Sequence, residues 1–397
     1  MYFIALCMAL LIVFFLQRHI YRKYIFAGMN YRVTVSAEEV FEGDDVYIYE
    51  ELSNDKALPV PNAKVEAQIP DGLALRLLTD DGGEQLCRSV QSIFVLGSHR
   101  VIKRRWRIKC LRRGVYNFGS ALVVTNDLFG MDTKSKRLID EPAAHNRVVV
   151  LPKIVRISEE MTPSLWLTGG KNTMRSIHTD PLMIAGSREY TLEDPMNRIN
   201  WKSTAVHNQL MVNIEEFTRR GQFNLVLNMQ TRSPEKDPTV PASPDHIERC
   251  ITAAASLIDH VADEDSPLRL YINTPPESIE AVYVEENQID DPVAKRILVT
   301  RLYHGKRDFI DALRLLADIK MKISVTTEQL MDTIAAAADY YCGGGDLIMV
   351  SSYIDARMLN FREVMRSAGV NVIFMLTTTY TPLSQHELAD AEIHYLS

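Results

Sequence analysis

From Tyr2 to Leu16 every side chain is apolar or aromatic. Such a run exceeds an ordinary strand of about 5–6 residues and approaches the roughly 20 residues that cross a bilayer core. The flank completes it. Gln17 and His19 suit the interface, Arg18, Arg22 and Lys23 can snorkel, and Tyr21 and Tyr24 supply one aromatic belt. Segment 1–24 is therefore expected to be a transmembrane anchor. A cleavable signal would carry its positive charge ahead of the apolar run and a small-residue site behind it. Here the charge follows, and Gln17-Arg18-His19 is no such site. By the positive-inside rule, this predicts a single-pass protein of the inner (cytoplasmic) membrane with its main body in the cytoplasm. The five scattered cysteines, with no C-x-x-C pair, fit reduced thiols in that compartment.

Behind the anchor, 397 residues leave room for two folded domains. Between 30 and 140 the chain alternates in short runs, such as Tyr31-Arg32-Val33-Thr34-Val35 and Val46-Tyr47-Ile48-Tyr49, separated by turn signals at Glu42-Gly43-Asp44-Asp45 and Pro70-Asp71-Gly72. This predicts an all-β, immunoglobulin-like sandwich. The basic run Val101 to Lys109 places Ile102, Arg104, Trp106 and Ile108 on one face and Lys103, Arg105, Arg107 and Lys109 on the other. A half-exposed strand with a solvated basic face explains that spacing. Lipid headgroups or nucleic acid are the alternatives, and a net charge of −7 argues against nucleic acid as a partner.

Residues 147–220 form a linker and motif region. Leu167 to Thr173 contains Gly-Gly-Lys-Asn-Thr but lacks the first glycine of a phosphate loop. The most distinctive stretch follows: Gly186, Arg188, Glu189, Tyr190, Asp194, Arg198, Ile199, Trp201, Thr204 and Ala205. In register, these residues resemble the hallmark of the bacterial domain-of-unknown-function 58 family, with Glu193 where that family carries glycine. Arg113-Gly114-Val115-Tyr116-Asn117-Phe118-Gly119 and Asp127-Leu128-Phe129-Gly130-Met131 resemble two further family elements, Leu128 and Met131 departing from the second. The resemblance implies a membrane protein with a von Willebrand factor A-like domain, associated with MoxR-type AAA+ ATPases. Physically, the stretch is a hydrogen-bonded, ion-paired turn with Trp201 in the core, or a docking surface using Arg188, Glu189, Tyr190, Asp194, Arg198 and Trp201. Acid/base catalysis by Glu189 and Asp194 is the third reading.

From 221 to 397, strands at Phe223–Leu227, Arg269–Ile272, Asp346–Val350 and Val370–Met375 alternate with helices near Pro244–Val261, Gly305–Ile319, Asp355–Ala368 and Leu383–Ala391. That pattern predicts an α/β domain with a mainly parallel sheet. In a von Willebrand A domain the first strand ends in D-x-S-x-S, whose oxygens help to hold Mg²⁺ with a Thr and an Asp from other loops. Here Asn228, Gln230 and Arg232 take those three positions, and Ser352 lies where the distant Asp is expected. The expectation is a degenerate site with no metal and no cofactor. Lys306 and Arg307, opening the helix at Gly305, raise the idea of a fixed cation in the ion's place. No nucleophile elbow or zinc motif appears. The sequence thus points to a non-catalytic membrane scaffold or adaptor that binds protein partners. The alternatives are a metal- or acid/base-dependent membrane enzyme and an outward-facing structural envelope protein.

Overall fold

A computed structural model describes residues 2–78, 84–126, 130, 132–140, 144–155, 184–191, 199–207, 209–215, 222–231, 243–263, 266–276, 291–338, 342, 345–377 and 393–395. Leu167 to Thr173, Asp194, Arg198, Arg232 and the helix expected at Leu383–Ala391 lie outside the described residues. The chain divides into two compact units, Met1–Lys153 with Leu313–Ile319, and Ile154–Ala312 with Lys320–Ser397.

The first unit opens with helix α1 (Tyr2–Tyr24), long and apolar enough to cross a membrane. Consecutive residues on a helix point about 100° apart, so the exposure of Leu10, Leu11, Ile12 and Val13 puts apolar surface on every side. A helix of a water-soluble core would bury one face. Burial begins only at its end, where Tyr21 and Ile25 are each 3 % exposed and join the core that follows.

That core lies between two antiparallel sheets and a small mixed one. Its strands are β1 (Met29–Val35), β2 (Glu39–Phe41), β3 (Asp45–Asn54), β4 (Val60–Gln68), β5 (Leu73–Leu78), β6 (Glu84–Cys87), β7 (Ser89–Leu96), β8 (Arg100–Cys110), β9 (Gly114–Asn117), β10 (Ser120–Asn126), β11 (Thr133–Ile139) and β12 (Arg147–Leu151). They assemble as β1-β3-β8-β5-β6, β11-β10-β4-β7 and β2-β12-β9, and in the last of these β12 runs parallel to β2. The alternation seen in the sequence decides which face is buried: Val33, Val46, Ile48 and Ile108 from the first sheet meet Val65, Ala121 and Val123 from the second. Together they make a β-sandwich. Gly72 is required by close approach, since its φ is +101° and a Cβ there would stand 2.1 Å from the Tyr116 hydroxyl, which donates to the Arg112 carbonyl at 2.9 Å.

In the second unit, β13 (Ile184–Glu189) and β14 (Met211–Glu215) pair antiparallel around helix α2 (Trp201–His207). There follow β15 (Phe223–Leu227), α3 (Pro244–Asp263), β16 (Leu268–Ile272), β17 (Leu298–Val299), α4 (Gly305–Asp318), α5 (Thr327–Ala336), β18 (Leu347–Ser351), α6 (Ala356–Ser367), β19 (Val372–Leu376) and β20 (Ile393–Tyr395). The sheet order is β17-β16-β15-β18-β19-β20. Only β16 with β17 is antiparallel in it; the other four described pairings run parallel. Among the described residues of both units together, antiparallel pairings predominate. Strands β18 and β19 are buried at every residue, as continuous apolar runs inside a parallel sheet require.

Candidate functional site

Strands β15, β16 and β18 run parallel and in register, Leu227 lying beside both Ile272 and Val350. The residues at and just past their carboxyl ends are therefore neighbours: Asn228 in the middle, Asn273 and Thr274 on one side, Ser351 and Ser352 on the other. Crevices outside such strand ends are where open α/β sheets bind ligands. The Asn228 amide donates to Ser351 Oγ at 3.1 Å. Its Oδ1 accepts from the Gln230 amide at 3.0 Å, Asn273 Nδ2 at 3.2 Å and Thr327 Oγ1 at 2.9 Å.

Thr327 comes from the start of α5, where Thr326 and Gln329 form a capping box that fixes the first turn. Gln230 Oε1 accepts from the Thr327 amide at 2.8 Å and from its hydroxyl at 2.9 Å. One hydroxyl hydrogen thus serves two acceptors. Tyr353 closes the ring by donating to Thr327 Oγ1 at 3.2 Å. The result is a neutral network of amides and hydroxyls. A divalent cation needs oxygens with free lone pairs, preferably carboxylates, whereas Asn228 Oδ1 is already occupied by three donors. Among the described residues no cluster of three His, Cys, Asp or Glu side chains could hold a metal ion. Two hydroxyls at the strand ends remain unused: Ser352 and Thr274 are 4 % and 0 % exposed, with no hydrogen-bond partner for either Oγ among the described residues.

Ser351, the residue before Ser352, is the one that accepts from the Asn228 side chain. The fixed-cation idea fails on geometry. Tyr303, just before α4, bridges Leu268 at the starting end of β16, so Lys306 and Arg307 begin α4 a full strand length away from Asn228. Thr327 was not anticipated, because it lies 99 residues from Asn228 in sequence.

The motif region assembles locally around β13, β14 and α2. Ile199 is buried and bridges Val212. Asn200 Oδ1 accepts from the Ser203 amide at 2.9 Å, capping α2, and Thr204 Oγ1 accepts from the Met211 amide at 3.0 Å. Arg188 and Glu189 sit in β13 opposite Val212 and Met211, Glu189 is exposed, and Tyr190 is half-buried. Trp201, expected in the core on the plain reading of the motif, is 68 % exposed. The same short segment exposes Val206 and Leu210.

A further polar cluster lies inside the sandwich. Glu50 and Arg104 face each other across β3 and β8 on the inward side, and Glu50 is only 3 % exposed. Glu50 Oε2 accepts from Arg104 at 2.5 Å and from Trp106 Nε1 at 3.0 Å, while the guanidinium lies 5.2 Å and 5.1 Å from the Phe94 and Trp106 ring centres. Burial, and then the Glu50 carboxylate to which it hydrogen-bonds, push the Tyr31 phenol well above its usual pKa. Glu50, Tyr31, Trp106 and Phe118 line a cavity of about 60 Å³, too small for a drug-sized ligand, which fills ~300 Å³ or more. The sequence carried a signal for this pair, because Arg104 and Glu50 both fall in the apolar phase of their strands.

No family model matches the chain, and no curated relative matches it in sequence. Solved structures give weak likenesses. An α-2-macroglobulin from Escherichia coli, spanning domain MG7 to the C-terminus, is 11 % identical with a TM-score of 0.23, covering 32 % of this chain and 24 % of that one. Spo0M, a sporulation control protein from Bacillus subtilis, gives 11 %, 0.17, 30 % and 51 %. A GH20 exo β-N-acetylglucosaminidase from Vibrio harveyi gives 11 %, 0.23, 93 % and 81 %. The chain thus spans 24 % of the α-2-macroglobulin chain it matches. Likeness of this degree assigns neither fold nor activity.

Proposed function

We propose that the protein is a non-catalytic membrane adaptor of the domain-of-unknown-function 58 type. In this reading α1 is a single-pass anchor in the cytoplasmic membrane, the immunoglobulin-like sandwich is a cytoplasmic spacer, and the second unit is a von Willebrand A-like domain that binds a protein partner, a MoxR-type AAA+ ATPase. The observation that carries it is the neutral network around Asn228. It occupies the strand ends where a metal-dependent relative would hold its ion. Exposed Trp201 adds a large amphipathic anchor of the kind that dominates binding interfaces.

The test is affinity capture of the tagged full chain from its native membranes, comparing wild type with Trp201→Ala. The reading expects an AAA+ ATPase to co-purify with wild type and to be depleted by the substitution. Undiminished recovery with Trp201→Ala removes the motif from the interface, and absence of any ATPase from the wild-type capture removes the partner.

A further inference from the structure

We propose that the membrane-proximal end of the sandwich, together with the basic flank of α1, forms a binding surface for the phosphate headgroups of anionic phospholipids. The inference rests on α1 being a membrane anchor, as proposed above.

No slack separates the helix from the sandwich. Lys56 Nζ donates to the Ile25 and Ala27 carbonyls at 2.5 Å and 2.8 Å, and Lys134 Nζ donates to the Arg22 carbonyl at 2.9 Å. The Asp55 amide donates to the Gly28 carbonyl at 2.8 Å, and Asn30 Nδ2 to Asp55 at 2.6 Å. Two lysines thus meet the carbonyl end of the helix, where its dipole favours positive charge. Tyr21 and Ile25 are meanwhile buried in the sandwich core. At about 1.5 Å of rise per residue, the path from Leu16 to Tyr21 covers roughly 7.5 Å. One headgroup layer is of similar depth, since a core of about 30 Å sits in a bilayer of about 40–45 Å. With the apolar run in the core, the near end of the sandwich therefore reaches the headgroup layer.

The charge at that end has one dominant sign. The His99 amide donates to the Lys56 carbonyl at 3.2 Å, and Arg100 pairs with Asn54 at the start of β8, so both belong to this end and both are exposed. Among the described residues, Arg18, Arg22, Lys23, Lys56, Arg100 and Lys134 gather here against Asp55 and Asp132, in a chain whose net charge is −7. Excess positive charge held at headgroup depth is complementary to an anionic leaflet, at about 1 kcal/mol per basic residue.

The experiment uses the full chain in nanodiscs of pure phosphatidylcholine or of an equal mixture with phosphatidylglycerol, followed by mild detergent extraction and quantification of the lipid retained. The expected result is retention of phosphatidylglycerol over phosphatidylcholine, falling about fivefold for each charge removed in Lys23→Gln and Arg100→Gln. Lys134→Arg, which keeps the charge and a donor for the Arg22 carbonyl, retains the preference. Entry into nanodiscs with equal retention of both lipids, or a preference untouched by both neutralisations, overturns this inference alone. Failure to enter nanodiscs of either composition overturns the anchor as well.

Discussion

Asn228→Asp changes one atom in a buried, neutral network, so its consequences can be worked through atom by atom. The three donors on Oδ1 remain: the Gln230 amide, Asn273 Nδ2 and Thr327 Oγ1. What is lost is the amide donation to Ser351, which a turned Ser351 hydroxyl partly replaces. What is gained is a full negative charge at a residue 0 % exposed. Removing one member of a buried ion pair costs about 3–5 kcal/mol, and the retained donors lower that here to about 2–4 kcal/mol at neutral pH. Burial raises the folded-state pKa of the new carboxyl above its unfolded value. The folded state then holds a proton the unfolded state has lost, so the penalty grows as pH rises and disappears below about pH 4.

Mg²⁺ should act on the variant alone. A carboxylate beside Thr327, Ser351, Ser352 and Gln230 supplies the hard oxygens that the neutral network withholds. At ten times its dissociation constant the ion adds about 1.4 kcal/mol, or roughly 3–6 °C in Tm at about 2–4 °C per kcal/mol. Differential scanning fluorimetry of the purified full chain, across pH and Mg²⁺, reads both effects. A wild-type Tm that rises with Mg²⁺ would refute the neutral-network argument, as would a variant as stable as wild type at neutral pH without the ion.

Three further outcomes follow from the sandwich. Arg104→Met strands the Glu50 carboxylate and should destabilise by about 3–5 kcal/mol in urea titrations, whereas adding Glu50→Leu should recover most of that loss. Gly72→Ala drives a Cβ into Tyr116 at a left-handed φ and should cost about 1–3 kcal/mol, measured in the same way. Burial lowers the Lys56 amine to about 8; the unfolded chain therefore holds a proton the folded one has lost between about pH 8 and 10.4, and stability from this group rises with pH over that window. Thermal melts of Lys56→Gln should lack that component, and an identical pH profile in both proteins would contradict it.

The elements that were legible in the sequence are those with a strict period. Residue-by-residue alternation marked the core face of β1, β3 and β8, and apolar runs marked β18 and β19 and, interrupted by Asn224, β15, because burial on one face or on two leaves different patterns. Where function depends on residues brought together from afar, the sequence said less. Asn228 and Gln230 could be placed at a strand end, but Thr327 arrives from α5, a short helix distant in sequence that stands outside the strand and helix pattern of the sheet. Trp201 shows the limit of residue type as a guide to burial: on the short helix α2 no apolar periodicity fixes which way a lone indole faces. Glu50 and Arg104 were visible as polar residues in apolar phase, and their pairing across two strands needed the register to be known.

The central claim is that the second unit engages its partner without a divalent ion. Capture of the AAA+ ATPase by the tagged full chain, run in parallel with EDTA and with Mg²⁺ and without added nucleotide, tests it most directly. Equal recovery in both conditions is the predicted result. Recovery that requires Mg²⁺ and is abolished by EDTA would contradict the account.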